Sequence, residues 1–216
     1  MFKYLLAAIA VMFSVSANAA DIELKTKMDG SGTYIYYSGE TKTSDPYKIE
    51  RILIEAAEHE LPFLNTIVMN GNGGSAKAAL EIADIIRERE MKTIANHDCI
   101  SACSLMWMSG GIDNRYLFGD AAKIRFHFAY TRDARALNNM KEQVGWIGIQ
   151  DHISKSSHYY TAQLLRYKVI DPALFVWNLS YYGGANTFYD VTAETLNEVV
   201  GGKVYNDQSQ NRIDQE

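Results

Sequence analysis

Three short stretches of the chain carry residues able to do chemistry: Asn70-Gly71-Asn72-Gly73-Gly74-Ser75, Cys99-Ile100-Ser101-Ala102-Cys103, and Ile124-Arg125-Phe126-His127. A serine hydroxyl is a weak nucleophile until a base takes its proton, and imidazole suits that task near neutral pH. Consecutive glycines let a turn aim main-chain N–H groups into a cleft, where they can hold a developing oxyanion. Together these types suggest hydrolysis, with Ser101 attacking a carbonyl and His127 as base. Each residue also has a plainer reading. Ser101 could be a helix N-cap, His127 a satisfied core group, and Gly73-Gly74 a tight turn. The Gly-x-Ser-x-Gly elbow is absent, because residues 99–103 read Cys-Ile-Ser-Ala-Cys. Ser104 is a weaker nucleophile candidate, one turn into the helix.

Other reactive side chains carry less. His59, His97, His152 and His158 lack a comparable setting, and no metal-ligand set has zinc-like spacing, so neither metal nor cofactor is expected. No Gly-Lys-Ser/Thr follows the glycines, which argues against a phosphate loop. Cys99 and Cys103 are open to two main readings, a disulfide around Ser101 or two buried thiols, with a reactive thiol at Cys103 as a third.

These residues need a frame. Thr33–Tyr37 reads as a strand, and apolar Ile49, Ile52, Leu53, Ala56 and Ala57 after Pro46 as a helix face. Thr66–Met69 is a short strand, followed by the glycine turn and a helix with Ala79, Ile82, Ala83 and Ile86 on one side. Lys92–Ala95 is the next strand, with a turn at residues 99–101. Ala102–Ser109 is an apolar helix, and Tyr116–Phe118 and Ile124–Phe126 are short strands. Residues 138–167 read as a long helical region, Pro172 starts another helix, 187–191 is extended, and Thr192 caps a final helix running to Val200. Strands alternating with helices imply a mainly parallel α/β sheet with crossover helices, whose ligands bind beyond the carboxyl ends of strands.

Lys3, the apolar run to Val15 and Ala17-Asn18-Ala19 form the pattern of a cleavable export signal over residues 1–19. The expected layout is then one domain over 20–206 and a polar tail over 207–216. No second long apolar run is present, so no stable membrane insertion is expected after signal removal. The full chain carries a formal charge of −5 without a basic cluster, which gives no footprint for nucleic acid. A periplasmic or secreted location follows from the signal.

The glycine stretch and the alanine-rich helix after it resemble the Asn-Ser-Pro-Gly-Gly-Ser turn of Clp-type proteolytic subunits, in the Clp-protease/crotonase superfamily. The family's serine opens an apolar helix ending in glycine, as Ser101 opens ACSLMWMSG here. Its histidine ends a strand, as His127 ends IRFHFA. TYIYYSGE is similar to the family's first strand, and VTAETLNEVVGGKV to its C-terminal segment. The resemblance spans about Tyr34 to Val204. It implies a mainly parallel α/β sheet built from repeated β-β-α units. It also implies a peptide or protein substrate and a homo-oligomer, with 138–167 as an assembly element. By the same resemblance, the oxyanion amides would come from Gly73 and Ala102, with Gly74 as the neighbouring choice. No ATPase partner is expected outside the cytoplasm.

The family's third catalytic residue has no counterpart in place. Matching Thr192-Ala193-Glu194 to the family's Ser-Ala-Glu puts Phe188 where an aspartate belongs. Asn186 and Asp190 lie two residues to either side, and Asp171 reads as a helix start. Either one substitutes, or Ser101 and His127 act as a pair, or the site is silent and the chain is a binding or assembly protein. Trp146, Tyr159, Tyr160, Trp177, Tyr181 and Tyr182 are candidates for a binding or subunit surface. Crotonase-like chemistry on coenzyme A thioesters is a third reading, disfavoured by export.

Overall fold

The computed structural model describes residues 20–27, 32–61, 64–127, 162, 165–182 and 188–205. The strands are β1 (Asp21–Thr26), β2 (Thr33–Thr41), β3 (Thr66–Gly74), β4 (Lys92–Ile100), β5 (Arg115–Phe118), β6 (Lys123–Phe126), β7 (Tyr189–Val191) and β8 (Lys203–Tyr205). The helices are α1 (Asp45–Glu58), α2 (Ala76–Glu88), α3 (Ala102–Met108), α4 (Pro172–Tyr182) and α5 (Leu196–Val199). All strands belong to one sheet, in the order β1-β2-β3-β4-β5-β8 with β6 and β7 branching from β4. Among the described strands, only the β1–β2 and β6–β7 pairs are antiparallel. The α/β class and the mainly parallel sheet expected from the sequence are those of the structure.

The branch explains how the site is built. The first half of β4 pairs with β5, Thr93 facing Arg115 and Ala95 facing Leu117. Its second half leaves β5 and pairs with β6, Asp98 facing Lys123 and Ile100 facing Arg125. One strand therefore carries both the central core and the edge where Ser101 emerges.

The helices sit where the apolar period requires. Ala79, Ile82, Ala83 and Ile86 of α2 are fully buried, as are Ile49 of α1 and Ile35, Ile67, Met69 and Ala95 of the sheet. Each buried isoleucine contributes about 2–3 kcal/mol of transfer free energy. Ala57, expected on the buried face of α1, is exposed instead. It lies beside buried Ala56 in the last turn of α1. The β2 end is tied to α1 by Asp45, which is buried. It accepts hydrogen bonds from the Tyr37 hydroxyl (3.1 Å), the Lys42 N–H (2.8 Å) and Lys48 Nζ (3.0 Å). Burial first, and then the neighbouring Asp45 carboxylate, push the Tyr37 phenol well above the usual tyrosine range.

Several boundaries differ from those expected. β3 runs through Asn70-Gly71-Asn72-Gly73 to Gly74, and β4 runs through Asn96-His97-Asp98 to Ile100. These polar and glycine residues have low strand propensity, but main-chain pairing on both sides holds them extended. Register shifts between Ser38 and Glu40 and between Met69 and Gly71 absorb the irregularity. β1 and β8 were not anticipated. The last helix spans only Leu196–Val199 with Thr195 at its N-cap, and Thr192 N–H donates back to Thr195 Oγ1 (3.1 Å). Of the helical region 138–167, residues 162 and 165–167 are described, and 162 and 165–166 are helical. No helix among the described residues is long and apolar enough to cross a membrane.

Arg115 links distant segments. It is fully buried, and its guanidinium donates to the carbonyls of Gly201 (2.7 Å), Tyr167 (3.3 Å), Met108 (3.4 Å) and Lys168 (3.4 Å). Burial lowers its pKa to about 10, which still leaves it charged at neutral pH. A buried cation surrounded by main-chain carbonyls joins β5, the end of α3, the 165–168 turn and the approach to β8.

Candidate active site

Two serines occupy the same topological position, between a strand and the helix after it, and they behave differently. Ser75 precedes α2 with φ −66° and ψ 108°, and its side chain accepts from Ala78 N–H (3.2 Å). That is an ordinary N-cap. Ser101 precedes α3 with φ 58° and ψ −114°, and its side chain makes no capping hydrogen bond. The reading of Ser101 as a side-chain helix cap therefore fails.

The backbone of Ser101 is unusual in a second way. Among the described residues, the other non-glycine residues with positive φ are Glu60, Glu90 and Lys168. Glu60 and Glu90 sit just past α1 and α2, where left-handed residues end helices by returning N–H groups to the last carbonyls. Leu61 N–H meets Ala56 O, and Met91 N–H meets Ile86 O. Lys168 follows the short helical stretch at 165–166, and its N–H donates to the Leu165 carbonyl (3.4 Å). Ser101 alone has its positive φ at a helix start. Such a conformation costs about 1–3 kcal/mol and persists only where its surroundings impose it.

Those surroundings are specific. Ser101 N–H donates to the Arg125 carbonyl (2.9 Å), which continues the β4–β6 ladder beyond Ile100. Its own carbonyl accepts from Ser104 N–H (3.0 Å) and from the Ser104 hydroxyl. Ser104 is fully buried and committed to that bond, so it is removed as an alternative nucleophile. Cys99 and Cys103 are joined in a disulfide with Cα atoms 5.1 Å apart, and both are buried. Of the readings left open for the cysteines, the structure has the bridge.

The glycine stretch lies against this elbow. A Cβ on Gly73 would stand 2.7 Å from Ser101 Cβ and 3.1 Å from Ser101 Oγ. A Cβ on Gly74 would instead stand 2.3 Å from the Thr41 carbonyl oxygen. Of the two candidate glycines, Gly73 borders the serine and Gly74 borders β2. Ala102, the other candidate amide, is buried at the start of α3.

His127 follows β6 directly and is nearly buried, at 6 % exposure. Because Ser101 N–H bonds Arg125 O, the residues just past the ends of β4 and β6 share one edge of the sheet. The antiparallel β6–β7 register pairs Phe126 with Tyr189 and Arg125 with Asp190. One step further it brings Phe188 to His127, and their rings meet edge-on with centroids 5.3 Å apart. Phe188 thus lies beside the histidine at the position matched to the family's acid.

Asp190 faces elsewhere. Its carboxylate lies 3.4 Å from Arg125 Nε, and Asp98 lies 3.5 Å from the other side of the same guanidinium. This Asp98–Arg125–Asp190 group was missed by sequence reasoning. Asp171 is a helix-start residue, its carboxylate accepting from Leu174 N–H (2.9 Å). His59 and His97 are exposed. Asn186, His152, His158, Trp146, Tyr159 and Tyr160 lie outside the described residues, as do the side chains of Tyr181 and Tyr182. Trp177 is exposed on α4.

No protein-family model matches the sequence, and no curated protein does so. The fold does match solved structures. A point mutant of ClpP1 from Listeria monocytogenes aligns at a TM-score of 0.58 and 13 % identity, over 82 % of this chain and 93 % of that one. ClpP1 from the same organism aligns at a TM-score of 0.57 and 13 % identity, over 82 % and 94 %. With its branched, mainly parallel sheet, the chain has a ClpP-like α/β fold.

Proposed function

We propose that the chain is an exported serine hydrolase, a ClpP-like peptidase that uses Ser101 and His127 and acts on peptides or proteins. The observation that carries this reading is the backbone of Ser101. It is held at φ 58° and ψ −114° where an ordinary cap would serve a helix start, with its side chain withheld from capping. A non-glycine residue kept in such a conformation between a strand and the helix after it is a signature of a positioned nucleophile.

In this reading Ser101 Oγ attacks the scissile carbonyl and passes its proton to His127. The main-chain N–H groups of Gly73 and Ala102 stabilise the oxyanion. His127 then protonates the leaving amine, and water releases the acyl group from Ser101 by the reverse sequence. The signal-like segment 1–19 supports export, and the ClpP-like fold supports assembly into a homo-oligomer. A fluorophosphonate probe tests the chemistry. It should label the wild type and neither Ser101→Ala nor His127→Ala. A folded, signal-cleaved wild type that takes no label would end the proposal. Fractionation of the expressing cell and the native mass of the mature chain test export and assembly.

Phe188 favours a second reading, a catalytically silent binding or assembly protein. An aromatic edge lies beside His127 at the position matched to the family's acid. This reading requires that Ser101→Ala leave partner or peptide capture unchanged. Loss of capture in a folded Ser101→Ala protein would count against it.

A further inference from the structure

Cys99 is the penultimate residue of β4, and Cys103 is the second residue of α3. Their bridge crosses the segment in which Ser101 takes its left-handed conformation. Without a constraint, a serine at a strand-to-helix junction has a lower-energy alternative, which Ser75 displays. There φ is −66° and the hydroxyl turns onto the helix amides. Ser101 could reach that state only by rotating the end of β4 against the start of α3. The disulfide ties those two ends together. It also touches the glycine stretch, because a Cβ on Gly71 would lie 3.6 Å from Cys103 Cβ and 3.7 Å from Cys103 Sγ. The same bridge therefore abuts the strand that carries Gly73 to Ser101.

We infer that the Cys99–Cys103 bridge is a positioning device for Ser101, holding its backbone out of the capping conformation and its hydroxyl available for attack. This rests on the serine-hydrolase reading. The cysteines touch no substrate and act only through Ser101. A ring this short restricts the unfolded chain less than a long one does, so its main effect falls on local geometry. Displacing a nucleophile by a fraction of its approach distance lowers rates steeply.

The test compares the oxidised wild type with Cys99→Ala/Cys103→Ala, as full chains, by the rate of fluorophosphonate labelling per folded molecule across pH. In that reaction the Ser101 Oγ–P bond forms, the P–F bond breaks, fluoride leaves and the serine proton passes to His127. The double variant should label about 10- to 100-fold more slowly at every pH, with an unchanged midpoint, because the base is untouched. A second arm reduces the wild type in mild urea, returns it to buffer with reductant, and compares labelling with the free-thiol count. Labelling should fall in proportion to the thiols released. A purely structural bridge would change the folded fraction and leave the rate per folded molecule alone, and that result overturns the inference. If the double variant does not fold, the reduced wild type decides by the same criterion. A wild type that never labels removes the hydrolase reading and this inference together. A wild type that labels, with unaffected bridge-free forms, removes this inference only.

Discussion

The ring of Phe188 meets the ring of His127 edge-on at 5.3 Å, because the antiparallel β6–β7 ladder delivers residue 188 opposite residue 127. An imidazole that serves as base works best when a carboxylate orients it and stabilises its cation. Phe188 is half-buried, so a smaller polar side chain can be accommodated there. Phe188→Asp should raise the fluorophosphonate labelling rate by about tenfold or more. It should also move the pH midpoint upward, since a nearby anion favours the imidazolium. An unchanged rate and midpoint in a folded variant would mean that another group already orients His127.

Gly73 and Gly74 should respond differently to the same substitution. Gly73→Ala places a methyl group against Ser101, and labelling should fall about 100-fold as the elbow and its amide move. Gly74→Ala places its methyl against the Thr41 main chain, so β2 must shift. That strain should lower stability by about 1–3 kcal/mol in urea denaturation while labelling per folded molecule changes little. Equal effects of the two on labelling would argue against Gly73 as the oxyanion glycine.

Arg115→Met should destabilise the protein by about 3 kcal/mol, seen as a lower urea midpoint. The methionine fills much of the volume but leaves the carbonyls of Gly201, Tyr167, Met108 and Lys168 without their donor. Labelling of the remaining folded fraction should be unchanged, because Arg115 lies on β5 and not on the β4–β6 edge.

Tyr37 predicts an alkaline transition. Its phenol titrates higher in the folded protein than in the unfolded chain, so above about pH 10 the unfolded state sheds the proton first. The stability contributed by Tyr37 is thus complete below the unfolded pKa and is lost as pH rises toward the folded one. Above about pH 10, the thermal midpoint of the wild type should drop more steeply than that of Tyr37→Phe. Parallel curves would show that Tyr37 ionises equally in both states.

Much of the scaffold was legible because it is periodic. Ala79, Ile82, Ala83 and Ile86 of α2 recur at helical spacing, and the interiors of β3 and β4 are short apolar runs. The strand ends were not legible. Asn70, Asn72, Asn96 and Asp98 look like loop residues by type, and only pairing with neighbours distant in sequence keeps them extended. β1 offers only two alternating apolar residues, Ile22 and Leu24, and most of the strand is exposed. At the site, Ser101, His127, Gly73 and the cysteine pair could be named from residue type and order. The Arg125 group and the Phe188 contact could not, because they depend on the register of β6 with β4 and with β7.

Residue types alone determined which groups are available: one serine between two cysteines, one histidine at a strand end, two adjacent glycines. Local spacing also placed each at the end of an element, since period and capping act within a few residues of chain. Tertiary structure decided what those groups are to one another. It put Gly73 rather than Gly74 beside Ser101, closed the disulfide, twisted Ser101 away from capping, turned Asp190 onto Arg125 and left an aromatic edge against His127. Those outcomes depend on how β3, β4, β6 and β7 register side by side, and register is set by the packing of the whole sheet.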